Sequence, residues 1–91
     1  MLTPSYTSQF EKDVKRQQKR RKDMAKLRKV LTLLMEEQKL PTKNRDHKLS
    51  GDYKDFRECH IEPDWLLIYK IKDKEIFFTR TGSHSDLFKK K

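Results

Sequence analysis

Apolar residues recur along this chain with two different periods, and the change of period divides it. Phe10 and Val14 stand four apart, and Met24, Leu27, Leu31 and Leu34 follow at spacings of three and four, with Val30 and Met35 beside them. That is the stripe of amphipathic helices. Thr7 or Ser8 is placed to cap a first helix and Asp23 a second, with Arg20 to Asp23 either a turn or a continuation. The second helix should stop near Gln38, because Leu40–Pro41 continues a helix badly. Ahead of both, Leu2 to Tyr6 predicts a short strand. Pro4 confines it to a sheet edge, since proline has no N–H for a ladder.

After a polar, turn-like stretch over 41–50 and the punctuating Gly51, the period becomes that of strands. Tyr53 to His60 predicts the first, and Glu62–Pro63–Asp64 a turn. Trp65 to Ile71 reads WLLIYKI, a buried central strand. Lys72–Asp73–Lys74 makes a hairpin turn, and Glu75 to Thr81 the next strand around Ile76, Phe77 and Phe78. Ser83 to Phe88 is a helical turn or short extension. The expected organisation is one domain over 1–91: an edge strand at 1–6, basic helices over 7–38, an antiparallel meander over 53–82 and a tail at 83–91. Helices and strands are segregated, so the fold class is α+β, with helices on one face of a small antiparallel sheet.

Composition sharpens this. Ninety-one residues bury a modest core, and 41% are charged. A single cysteine permits no internal disulfide and fits a reducing compartment. No apolar run is long enough to span a membrane, and MLTPSYTSQF does not read as a secretory signal, so no membrane partner and a cytoplasmic location are expected. The net charge is +9. Residues 12–29 hold ten Lys/Arg against Asp13 and Asp23, so that segment carries nearly all of it. Lys12, Lys15, Arg16, Lys19, Arg20, Arg21, Lys22 and Lys26 are the candidate contacts to a polyanion. The plainer reading is a solvated helix face.

The chemistry gathers at the other end. His47, His60 and His84 are the only histidines, and Cys59 and Trp65 are the only residues of their types. A metal site is disfavoured: there is no CxxC or HxxxH, and Cys59 and His60 would point to opposite faces of a strand. No cofactor is expected. Cleavage of RNA by its own 2′-hydroxyl needs a base, an acid and a cation for the phosphate. Imidazole or carboxylate serves the first two, and the fork of arginine suits the third. Antiparallel topology sets His60 near Asp64 and Trp65, and a hairpin returns Arg80 toward them. Each also has a plainer use: Arg80 as an ion-pair partner, Trp65 as core, Asp64 as a turn residue.

The segments DH with L-x-G from Asp46, R-E-C-H from Arg57, E-P-D-W-L-L-I-Y from Glu62 and R-x-G-S-H-S-x-L-F from Arg80 resemble the YafQ branch of the RelE superfamily of bacterial type II toxins. F-x-K-D-V-K and K-D-M-x-K-L extend the resemblance toward the N-terminus. It implies a RelE-like fold and a ribosome-dependent mRNA endoribonuclease that cuts A-site codons without a metal. Partners would be the ribosome with mRNA in its A site and a cognate antitoxin in a heterotetramer, which alone would bring operator DNA into contact. By the resemblance, His47, His60, Asp64, Arg80 and His84 are the active-site residues, with His60 and His84 the proton-transfer pair. Trp65 and Phe88 would be supporting or substrate-contacting. Glu58 stands where relatives often carry Asp and is a further contributor. Residues 12–29 would hold ribosomal RNA. The competing reading is a non-catalytic RNA- or DNA-binding regulator that uses the same basic segment.

Overall fold

A computed structural model describes residues 1–88; Lys89 to Lys91 of the expected tail lie outside them. The elements run β1 (Thr3–Tyr6), α1 (Ser8–Lys19), α2 (Met24–Met35), β2 (His47–Lys48), β3 (Arg57–Glu62), β4 (Trp65–Lys72), β5 (Glu75–Gly82) and α3 (His84–Leu87). Single 3-10 turns at Thr42–Asn44 and Gly51–Tyr53 flank β2. The strands form one sheet in the order β1-β5-β4-β3-β2.

The α+β class holds, and β1 is at an edge as Pro4 requires. The sheet is mixed rather than antiparallel, however, because β1 pairs β5 in parallel, Thr3 beside Glu75 through Tyr6 beside Phe78. The chain reaches that pairing only after both helices and the whole meander, a separation no local pattern records. Thr7 caps α1, accepting from Phe10 N–H at 2.9 Å, and its own hydroxyl donates to the Thr79 carbonyl at 2.9 Å. Asp23 caps α2, accepting from Ala25 N–H at 2.9 Å. Between them Arg21 adopts a positive φ of 60°, so Arg20 to Asp23 is a turn. Helix α2 closes at Met35, short of Gln38, with Glu37 at φ 59°. The 3-10 turn at Gly51–Tyr53 delays β3 to Arg57, and β3 runs on to Glu62. His47–Lys48, expected in a loop, forms the edge strand β2.

The main core lies between helices and sheet: Phe10, Val30 and Leu34 against Cys59, Leu67, Tyr69, Ile76 and Phe78. The other face carries a smaller cluster, Leu66, Ile68 and Leu87 with Leu49 and Phe56 packed on it. Strand β4 therefore contributes to both cores, which is why its sequence is nearly continuous in apolar residues. Its far end escapes, and Ile71 is 47% exposed. Leu67→Ala should cost about 2–5 kcal/mol of stability by leaving a cavity in the main core. Ile71→Ala, on the same strand, should cost under about 0.5 kcal/mol. Equilibrium urea unfolding of the two variants checks the contrast.

Candidate active site

Strand register builds the site. His47 pairs Glu58, Glu58 pairs Ile68, and Ile68 pairs Arg80, so one row crosses four strands. The next row is His60, Leu66 and Gly82. Directly paired residues share a face, so by register His47 and His60 lie on the face that carries Leu66 and Ile68 of the smaller core. Two irregularities aim the row. Register shifts between His60 and Glu62 in β3, and between Arg80 and Phe78 in β5, where Thr79 is the extra residue. Such bulges re-aim side chains and sharpen local twist.

The three rings form a line. His47 and His60 lie 6.5 Å apart by ring centroids, and His60 and His84 lie 5.9 Å apart. The buried Glu58 carboxylate serves the first two: its Oε1 is 3.4 Å from His60 Nε2 and 3.6 Å from His47 Nε2. His47 Nδ1 donates to the Arg45 carbonyl at 2.7 Å, so its tautomer is set. Asp46 pins the segment before it, accepting from Tyr69 Oη at 2.6 Å and from Arg57 Nε at 3.2 Å. Together with burial, this carboxylate pushes the Tyr69 phenol far up from its ordinary pKa. Asn44 Nδ2 donates to the His60 carbonyl at 2.7 Å and braces β3 from outside.

His84 is held differently. One oxygen of Asp64, Oδ1, accepts both the His84 backbone N–H at 2.8 Å and Nδ1–H at 2.6 Å. These bonds, the backbone one foremost, hold the Asp64 carboxyl below its usual range. The His84 ring is half-exposed, and Nδ1 is the nitrogen that Asp64 engages. The helix that carries His84 has a full capping box between Ser83 and Asp86. Asp86 is also gripped by Arg20, Nη1 to Oδ2 at 2.7 Å and Nη2 to Oδ1 at 3.0 Å. That pairing drives the Asp86 carboxyl far below its ordinary range. Gly82 makes this approach possible, because a Cβ there would lie 2.8 Å from Asp86 Oδ2.

The expected residues therefore divide. His47, His60, His84, Asp64 and Glu58 converge. Arg80 shares their sheet row, but its Nε donates to Asp13 Oδ2 on α1 at 2.8 Å. Trp65 is wholly buried and donates its indole N–H to Thr81 Oγ1 at 3.0 Å, so it supports the strands and offers no surface to a ligand. Phe88 is exposed and meets Tyr53 edge-on at 6.0 Å. Among the described residues no three His, Cys, Asp or Glu side chains are arranged to hold a metal ion. Cys59 is buried in the main core, and burial pushes its thiol far up.

The basic segment also divides. Arg20 and Arg16 pair with Asp86 at 2.7 and 3.6 Å, and Lys22 and Lys26 each reach Glu62 at 3.1 Å. Lys12, Lys15, Lys19 and Arg21 make no ion pair among the described residues. A groove of about 920 Å³ opens between α2 and the end of β3, with Lys26, Lys29, Lys43 and Arg45 around it and His60 and His84 at one end.

Residues 2–89 match the family described as bacterial toxin of type II toxin-antitoxin system, YafQ. The mRNA interferase toxin YafQ of Escherichia coli strain K12 is 51% identical over 84 residues, 91% of each chain. The crystal structure of the Escherichia coli DinJ–YafQ complex contains a chain similar at TM-score 0.90 and 48% identity, over 97% of this chain and 99% of that one. A metal-bound toxin from Helicobacter pylori is similar at TM-score 0.91 and 48% identity, over 97% and 100%.

Asp86 generates a pH prediction. Its folded pKa is depressed, so its contribution to stability is complete above the unfolded value, about 4, and is lost as pH falls toward the folded one. Asp86→Asn should be less stable than the parent near pH 7, and the gap should narrow steadily below about pH 4. Urea unfolding across that range measures it.

Proposed function

The chain belongs to the YafQ family of toxins of bacterial type II toxin–antitoxin systems, and from that membership we propose that it is an mRNA interferase that cuts codons held in the ribosomal A site. The observation that carries this reading is the line of three imidazoles, with Glu58 beside His47 and His60 and Asp64 on His84. Such a line can move protons around one phosphodiester without help from a bound group. The attacking 2′-hydroxyl loses its proton to one imidazole and bonds to phosphorus. The 5′-oxygen leaves with a proton from another. The products are a 2′,3′-cyclic phosphate and a 5′-hydroxyl, with water able to open the ring to a 3′-phosphate.

His60 and His84 form the proton-transfer pair on this reading, with rings 5.9 Å apart. His84 is suited to begin as base. Its Nδ1 proton is committed to Asp64, so the neutral ring carries its lone pair on Nε2, and the carboxylate stabilises the imidazolium that follows. His60 then supplies the leaving group's proton, with Glu58 beside it. His47 adds a further contact to substrate, and Arg80 offsets the phosphate charge. Phe88 stacks on a base. Ribosomal RNA meets the exposed cations of α1. An antitoxin is the regulatory partner, in an assembly of two toxins and two antitoxins that brings operator DNA within reach, all in the cytoplasm.

His60→Ala and His84→Ala should each slow cleavage about 10²- to 10⁴-fold on programmed ribosomes. Primer extension with the end chemistry recorded is the measurement. Parent-like cutting by both variants would remove the catalytic assignment, and a parent that binds ribosomes without ever cutting would favour the binding-only alternative. Lys15→Glu with Lys19→Glu should weaken ribosome binding and flatten its dependence on log salt by about two units or more. An unchanged slope would place the ribosomal contact elsewhere.

A further inference from the structure

Asp13 is the most deeply buried carboxylate among the described residues, 1% exposed on a helix otherwise crowded with cations. Its two oxygens collect four donors. Oδ2 takes the Thr81 backbone N–H at 3.1 Å and Arg80 Nε at 2.8 Å. Oδ1 takes Gln9 Nε2 at 3.0 Å and a longer contact from Arg80 Nη2 at 3.4 Å. The Thr81 bond has a structural reason. Strand β1 covers β5 only as far as Phe78, so further along that edge the sheet has no strand to accept an N–H, and Asp13 supplies the oxygen.

The arginine bonds ask for another reason, because Arg80 remains 30% exposed and could leave its charge in water. A carboxylate on the Nε side of a guanidinium uses Nε–H and one Nη2–H. Three N–H groups stay unused, and two of them form the parallel end-on pair that matches two oxygens of a phosphate. The grip also removes the rotamer freedom that a long side chain otherwise loses on meeting its ligand.

We propose that Asp13 is a positioning residue for the RNA-cleaving site: it clamps Arg80 side-on from helix α1 so that the free end of the guanidinium is already aimed at the scissile phosphate. The inference rests on Arg80 being the phosphate partner, as in the reading above. It adds a residue from the N-terminal helix to a site otherwise drawn from the sheet and α3. It also makes the docking of α1 on β5 part of the catalytic geometry.

Asp13→Asn weakens the clamp while sparing the sheet edge. An amide oxygen in place of Oδ2 can still meet the Thr81 N–H and Arg80 Nε, but the charge is lost and an NH₂ replaces Oδ1 opposite Gln9 Nε2 and Arg80 Nη2, so the side-on grip falls to one uncharged acceptor. Single-turnover cleavage on saturating programmed ribosomes should fall about ten- to a hundredfold, with ribosome affinity unchanged within about twofold. Asp13→Glu, which restores the charge, should recover part of the rate. In an Arg80→Ala background the further loss from Asp13→Asn should shrink to under about twofold, because the residue then has nothing to position. Independent, multiplying losses would overturn the proposal, as would a rate deficit that appears only where Asp13→Asn begins to unfold. Parent-like cutting by Arg80→Ala would instead overturn the underlying role of Arg80. Should Asp13→Asn not fold, the parent protein still decides. Its Arg80 Nε–H, followed by nitrogen-15 NMR, must exchange with solvent much more slowly than those of the exposed arginines, and equal rates would refute the clamp.

Discussion

A helix of four residues cannot maintain itself in water, since nucleation costs more than one turn returns. Yet such a helix carries His84, and Phe88 directly follows it. What holds it is the carboxylate of Asp86, which closes the capping box with Ser83 on one side and takes the fork of Arg20 on the other. The packing admits no side chain at Gly82, where a Cβ would strike Asp86. Leu87 adds an apolar anchor in the smaller core. Without that tie between α3 and α1, one imidazole of the three would have no fixed place. Asp64 could then hold His84 Nδ1 only in passing.

The same logic runs through the basic segment. Its cations do more than present a field. Arg20 and Arg16 fasten α3, and Lys22 and Lys26 fasten the end of β3 through Glu62, just past His60 and the bulge. These pairs are partly exposed and individually modest. They act where the elements they join are short, so a modest interaction decides position. The cations without partners, toward the outer face of α1, are the ones suited to a nucleic-acid surface. Charge in this protein is therefore sorted by role: some cations tie α3 and the end of β3 in place, and others make no ion pair among the described residues.

Much of the fold was legible because local chemistry dictates it. Thr7 and Asp23 cap where a hydroxyl or carboxylate must, and the apolar run of β4 announces a strand buried on both faces. The rest was hidden for physical reasons. Parallel pairing of β1 with β5 is settled by tertiary packing at long range. Strand β2 is two residues long, too short to display a period. Bulges at Ile61 and Thr79 leave no composition mark, yet they shift the register just after His60 and just before Arg80. For the site, the histidines and the carboxylates Asp64 and Glu58 could be named in advance from the resemblance, but which ring nitrogen each carboxylate meets could not. Trp65 looked available and is core. Asp13 had a signal that charge counting obscures: it stands three residues after Phe10 and four before Gln17, on the face that the helix buries. An acid at an inward position of a cationic helix marks a buried partner.

Three imidazoles in line could in principle exchange roles, and the carboxylates are what makes them unequal. Asp64 binds His84 through Nδ1, and Glu58 approaches His47 and His60 through Nε2. Opposite nitrogens of His84 and His60 are therefore engaged, and His47 has its Nδ1 committed to the Arg45 carbonyl as well. The backbone N–H and the ring of His84 both donate to Asp64 and hold its carboxyl below its usual range. A carboxylate therefore already stands against Nδ1 of His84. Electrostatic preorganisation of this kind lowers a barrier because nothing need move when charge develops. The proposed division of labour rests on which atom each acid touches. That is a property of the register between strands and of one short helix, and side-chain identity alone does not contain it.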